Sequence, residues 1–234
     1  NVEEIAKGAS DERTEDQRRC FGKAVSENTK TNFSVKEVKK LILTASGGPF
    51  FGYTKEQLAE ITLERALAHP TWKMGAKITI DSSTLMNKGF EVIEAVHLFG
   101  VPAEKVNVVV HRESILHSAV EYIDNSIIAE LSVPDMRMCV QYAVDYPERE
   151  ISVSDELDLV KLGRLTFAEP DTEAFPLLNL AKRAHSLGGG MCAVMNAADE
   201  VAAEAFLAEK IGFNDAKLSA LLPEIIASGV EIDD

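Results

Sequence analysis

The stretch from His69 to Glu94 constrains this chain more than any other. It reads His69-Pro70-Thr71-Trp72-Lys73-Met74-Gly75, then Lys77-Ile78-Thr79-Ile80, then Asp81-Ser82-Ser83-Thr84, then Met86-Asn87-Lys88-Gly89-Phe90-Glu91. Ile78 and Ile80 alternate with polar residues, which predicts a half-buried strand. From Leu85 onward the apolar residues Leu85, Met86, Phe90, Ile93 and Val96 recur at helical spacing. The Asp-Ser-Ser-Thr cluster between them has the side chains that cap helix N-termini, so the pattern predicts a strand handing over to a helix.

A helix start of that kind presents unpaired backbone N–H groups and the positive end of the helix dipole, both of which favour a bound anion such as phosphate. Asn87 and Glu91 are four apart and share a helix face, with Glu94 three further on and Lys88 three before Glu91. The stretch thus offers an anion cradle of Ser82, Ser83, Asn87 and Lys88 beside a carboxylate, Glu91, suited to a divalent cation. The same spacing also fits an ordinary amphipathic helix with a serine cap and solvated charges.

A net charge of −14 argues against a nucleic-acid or anionic-membrane binder. It leaves room for a local basic pocket, and Lys73, Lys77 and Lys88 fall where the anion would sit. The 46% apolar content of the 234 residues is enough for a buried core. Cys20, Cys139 and Cys192 lack metal-ligand spacing and read as reduced thiols of a cytoplasmic protein. No run approaches the roughly 20 apolar residues of a membrane span. The polar, acidic N-terminus does not read as a signal peptide.

The chain is expected to comprise a polar segment (1–38), an α+β domain (39–150) and a helical C-terminal domain (151–234). The α+β domain is a small mixed sheet flanked by helices. Leu41–Ala45 and Val106–His111 read as buried strands, and Ala119–Ile123 with Ile127–Leu131 as a hairpin closed by Asp124-Asn125-Ser126. Ser46-Gly47-Gly48-Pro49 is a turn whose backbone can approach a ligand closely, and Ser46 adds a hydroxyl. The long connection from Gly47 to Gly75 suits a lid, with Trp72 and Met74 at its end as apolar cover; a core role for Trp72 fits equally well. His111 and His117 are six apart, which is not a metal pair on a helix and suggests structural histidines. Helices are expected from Pro134 to Val144, over Thr172–Ser186 up to Gly188-Gly189-Gly190, over Met191–Leu207 and over Asp215–Ala227.

Together these motifs resemble the 1-deoxy-D-xylulose 5-phosphate reductoisomerase family. The resemblance rests on Ser-Gly-Gly-Pro-Phe (46–50), His-Pro-Thr-Trp-Lys-Met-Gly (69–75), Asp-Ser-Ser-Thr-Leu-Met-Asn-Lys-Gly-Phe-Glu (81–91), Glu-Ser-Ile-Leu-His (113–117) and Pro-Asp-Met-Arg (134–137), in order and at family spacing. It implies an enzyme that rearranges and reduces a sugar phosphate with NADPH and Mg²⁺ or Mn²⁺, as a homodimer. By resemblance Ser46, Ser82, Asn87 and Lys88 bind the substrate phosphate and hydroxyls, and Glu91 is a metal ligand and catalytic group. His69, placed with the catalytic residues, shares the lid with Trp72 and Met74. Ser114, His117, Pro134 and Met136 line the pocket, with Gly75 and Met136 toward the cofactor.

The sequence also departs from the family pattern. It has no glycine-rich nucleotide fingerprint. It has no Asp-Ser-Glu-His run ahead of Ser46 to supply two further metal carboxylates, and it ends before the family's last helical segment. These departures imply a fragment, and an isolated chain unable to complete the reaction. Two other readings compete: a non-catalytic phosphate-binding module, and a dimerisation scaffold using the 120–131 hairpin.

Overall fold

The computed structural model describes residues 36–72 and 74–213. The polar segment up to residue 35, Lys73 and the helix expected over Asp215–Ala227 lie outside those residues. The fold is α+β, with a four-stranded sheet in the order β2-β1-β3-β4 and eight α-helices among the described residues. By contacts the chain divides into two units, each made of two chain segments: 1–44 with 94–167, and 45–93 with 168–234.

The first unit holds the sheet: β1 (Val38–Ala45), β2 (Val106–Val110), β3 (Leu116–Tyr122) and β4 (Ile127–Leu131). In β2 the residues Val106, Val108 and Val110 are buried and the intervening positions are not, the period-two pattern of a strand with one covered face. β3 pairs antiparallel with both β1 and β4. The β3–β4 turn has Asn125 in the left-handed region at φ 67° and a Tyr122 N–H donating to the Ser126 carbonyl at 2.9 Å, so the expected hairpin forms.

The second unit is helical. It contains α1 (Lys55–Ala59) and α2 (Leu63–Leu67), then α3 (Ala76–Thr84) and the first part of α4 (Met86–Phe99). Thr54 caps α1 with a capping box completed by Gln57, and Thr62 caps α2. Further along the chain the first unit holds α5 (Met136–Asp145) and α6 (Leu159–Leu162), and the second holds α7 (Leu177–Leu187) and α8 (Met191–Leu207). Gly188, at φ 70°, ends α7 as expected from the triple glycine. Met86, Leu177, Leu180, Ala181, Ala184 and Met195 form its buried apolar core. Removing each larger side chain of that set from water contributes about 1.5–3 kcal/mol.

One expectation is overturned. Residues 77–80 are not a strand but the middle of α3. Thr79 and Ile80 are buried while Ile78 is exposed, and the Thr79 N–H donates to the Gly75 carbonyl at 3.1 Å. A four-residue alternation is too short to tell period two from a helix with one buried face. The Asp-Ser-Ser-Thr cluster accordingly ends a helix and does not begin one. Leu85 then takes the left-handed conformation, φ 64°, and its N–H donates to the Ser82 carbonyl. No helix among the described residues is long and apolar enough to cross a membrane.

Candidate functional site

The α3–Leu85–α4 corner organises the second unit's polar residues. The Ser46–Gly48 loop lies directly on the last turn of α3. A Cβ at Gly48 would stand 3.0 Å from Ser83 Cα and 3.2 Å from the Ser82 carbonyl oxygen. Gly48 also has φ +60°, so both space and backbone conformation require glycine there.

Ser46 Oγ lies 3.0 Å from His69 Nε2 and accepts from the Gly48 N–H at 3.2 Å. His69 Nδ1 accepts from the backbone N–H groups of Thr71 and Trp72, at 3.1 and 2.9 Å. With Nδ1 an acceptor, the ring proton sits on Nε2 and is donated to Ser46. The pair is therefore a positioned hydroxyl on a neutral imidazole, not a serine activated by a base. Trp72 and Met74 are half-buried, and Gly75 is the N-cap residue of α3, with open space where a Cβ would lie.

On α4, Asn87 Nδ2 donates to Glu91 Oε1 at 2.7 Å, and Lys88 Nζ forms a short ion pair with Glu91 Oε2. Lys88 is the more buried of the two, with 12% of its side chain exposed against 33% for Glu91. The first turn of α4 begins here, with the Met86 N–H directed at Thr84 Oγ1 at 3.4 Å. The corner thus gathers an ammonium paired with Glu91, an amide and a helix start; Ser83 is buried and donates its hydroxyl to the Ile80 carbonyl at 2.7 Å, which leaves Ser82 as the serine for an oxyanion.

The basic cluster is smaller than its lysines suggest. Lys77 Nζ is held by Asp81 Oδ2 at 2.6 Å and Asp199 Oδ2 at 2.5 Å, and its ammonium faces the Phe90 ring at 5.1 Å. Two carboxylates around one ammonium leave no positive charge for a ligand, so Lys77 is not part of the cradle. The i,i+4 spacing of Lys77 and Asp81 is legible in the sequence; Asp199, 122 residues from Lys77, is not.

Ser114, His117 and Met136 belong to the first unit. Ser114 is buried with φ 52°, His117 Nε2 lies 3.2 Å from the Ser132 carbonyl, and Met136 is exposed at the start of α5. His111 is structural, as its spacing suggested. It is fully buried, with Nε2 accepting the Ile115 N–H at 3.1 Å and Nδ1 donating to the Thr166 carbonyl at 2.9 Å. Glu113 binds the Thr166 hydroxyl at 2.8 Å. Burial of Glu113 opposes ionisation, yet the hydrogen bonds from Thr166, aided by backbone N–H groups, hold its carboxyl below the usual range.

Mg²⁺ and Mn²⁺ take about six oxygen ligands. Among the described residues no three His, Cys, Asp or Glu side chains form a group able to hold a metal, and Glu91 is already bonded to an amide and an ammonium. These residues by themselves do not fit a divalent cation.

Comparison with known proteins identifies the family. Two family models match: the 1-deoxy-D-xylulose 5-phosphate reductoisomerase C-terminal domain over residues 22–99, and the DXP reductoisomerase C-terminal domain over residues 131–227. The reductoisomerase of Caldanaerobacter subterraneus subsp. tengcongensis is 56% identical over 197 residues, covering 84% of this chain and 50% of that protein. That of Chlorobium chlorochromatii is 59% identical over 180 residues, covering 77% and 47%. A solved reductoisomerase from Zymomonas mobilis in complex with NADPH aligns with a TM-score of 0.77 at 42% identity, over 85% of this chain and 50% of that one. A solved DOX-P reductoisomerase in complex with NADPH, fosmidomycin and magnesium aligns with a TM-score of 0.79 at 46% identity, over 84% and 49%. The chain belongs to the 1-deoxy-D-xylulose 5-phosphate reductoisomerase family, in its C-terminal region. It spans about half the length of the curated relatives it matches.

Proposed function

We propose that this chain supplies the phosphate-anchoring part of a reductoisomerase. The complete enzyme would convert 1-deoxy-D-xylulose 5-phosphate to 2-C-methyl-D-erythritol 4-phosphate in isoprenoid biosynthesis, with NADPH and a divalent metal. The observation that carries this reading is the convergence of Lys88 and Asn87 on Glu91 at the first turn of α4, just after Ser82 in the chain. Lys88 and the α4 start would attract the dianionic phosphate. Ser46 and Ser82 would add hydroxyl contacts, with His69 holding the Ser46 hydroxyl in place. Binding energy gathered at a non-reacting phosphate can be used to order the rest of the substrate and to exclude water.

Trp72 and Met74 would cover the bound substrate. By family resemblance Ser114, His117, Pro134 and Met136 would be substrate contacts of the complete enzyme, and Gly75 and Met136 contacts to NADPH. Glu91 would be one metal ligand among several, the others coming from outside the described residues. A homodimer and a cytoplasmic location belong to the same reading, as does the division at residues 38 and 150.

Titration of the chain with fosmidomycin and with inorganic phosphate, followed by amide NMR, tests the anchor. Shifts should centre on Ser82–Glu91. Lys88→Ala should weaken binding about tenfold or more, since a charge-assisted hydrogen bond contributes about 1.5–3 kcal/mol. Equal binding by wild type, Ser82→Ala and Lys88→Ala would defeat the proposal. NADPH oxidation with substrate and Mn²⁺ is expected to be absent for the chain alone; robust turnover would show that the metal and cofactor sites are complete within it.

A further inference from the structure

The second unit contains a buried charge cluster that the anchoring role leaves unused. Asp81 on α3 and Asp199 on α8 are each 4% exposed. Lys77 reaches one oxygen of each. Asp81 Oδ1, buried, receives no N–H or O–H donor. Two carboxylates and one ammonium carry a net −1 when all are ionised, and an unsatisfied buried carboxylate oxygen is costly. A single proton on Asp81 resolves both problems. It neutralises the cluster and turns the acid into a donor toward the Asp199 carboxylate.

We infer that Lys77, Asp81 and Asp199 form a proton-operated clamp between α3 and α8, closed when Asp81 carries a proton and loosened when it does not. Among the described residues the surrounding elements carry other charged groups: α7, packed on α8, has Lys182, half-buried, and Arg183, exposed. From α4 the neighbour is the uncharged Phe90 ring against Lys77. α2 carries Glu64 and Arg65, both exposed, with Arg65 donating to the Tyr53 hydroxyl. On α8 the adjacent Glu200 is exposed and accepts from Asn196. Burial pushes the Asp81 carboxyl up to about 6; the Lys77 hydrogen bond opposes this and the Asp199 charge adds to it. Burial pulls Lys77 down, but its bonds to Asp199 and Asp81 outweigh that and leave it raised, so the ammonium stays charged throughout.

Because the folded-state value of Asp81 lies above the ordinary 3.8 of an aspartate, its linked stabilisation is present at low pH and is lost as pH rises from about 4 through about 6. Across that window the folding equilibrium constant should fall up to roughly a hundredfold from this group alone. Asp81 directly precedes Ser82, so loosening would reach the serine shelf on which Gly48 rests.

Urea unfolding of the full chain from pH 4 to 8 tests the clamp without reference to any ligand or activity. The wild type should lose stability from about pH 4 to about pH 6, with the curve flat above that. Asp81→Asn, a permanent mimic of the protonated acid, should lack that step and be at least as stable as wild type at pH 8. Asp199→Asn should move the step toward lower pH by leaving a neutral Lys77–Asp81 pair. Infrared difference spectra of the folded wild type should show a protonated carboxyl below pH 6 that disappears above it. A pH profile in Asp81→Asn parallel to the wild type, an unmoved step in Asp199→Asn, or no protonated carboxyl would each overturn the inference.

Discussion

Single side chains here do their work through partners far away in sequence. His111 holds the 111–115 turn by accepting the Ile115 N–H and donating to Thr166, and its ring stacks on Phe167 at 4.8 Å. His111→Ala should destabilise the chain by about 3 kcal/mol, since it leaves a buried donor and an acceptor unpaired as well as a cavity. Chemical denaturation reads this directly, and a loss within 0.5 kcal/mol would mean that the turn is held by other contacts. Gly48→Ala combines a left-handed φ with a 3.0 Å approach to Ser83 Cα, so a loss of at least about 1–2 kcal/mol is expected in the same measurement. It should also shift the amide resonances of Ser82 and Ser83. Shifts confined to residues 46–50 would show that the loop does not rest on the shelf.

Among elements, the contact between α4 and α7 is the tightest test of the packing. A Cβ on Gly89 would lie 2.5 Å from Ala181 Cβ. Alanine is the better helix former by about 1 kcal/mol, so propensity alone predicts that Gly89→Ala stabilises α4. The packing predicts the reverse, a loss of about 1–3 kcal/mol from overfilling a buried contact. The double variant Gly89→Ala with Ala181→Gly should recover part of that loss, measurable as a coupling in a mutant cycle. Additive effects would indicate that the helices do not meet at these residues. The α3–α4 corner is where local pattern and structure part. Ile78 and Ile80 satisfy a two-residue period over four residues, and only the contacts of Ile80 and Thr79 with the helical unit decide for α3. The glycine triplet before α8 and the Asp124-Asn125-Ser126 turn were legible because their backbone conformations are set by the residues themselves.

At the scale of the whole molecule, a net charge of −14 on 234 residues works against compaction. The screening length falls from about 30 Å at 0.01 M salt to about 8 Å at 0.15 M. Thermal unfolding followed by circular dichroism should therefore show a midpoint that rises with sodium chloride over that range. A falling midpoint would mean that ion pairs such as Lys39 and Lys40 with Glu121 outweigh the general repulsion. Glu121 is held below its ordinary range first by Lys39 and then by Lys40, so these pairs are themselves open to screening.

The sequence by itself determined the family, through motifs whose residue types and spacing are specific. It also determined the sheet's hairpin, the long helices with their stops, and the grouping of Asn87, Lys88 and Glu91, because i,i+3 and i,i+4 neighbours meet on any helix. Only the tertiary structure decided that residues 77–80 are helical, that Lys77 is neutralised by Asp199, that the Ser46 loop rests on Ser82 and Ser83, and that each of the two units is made of two separate chain segments. Each of these depends on which distant segment covers a face, and burial by residues tens to more than a hundred positions away leaves no mark on a local period.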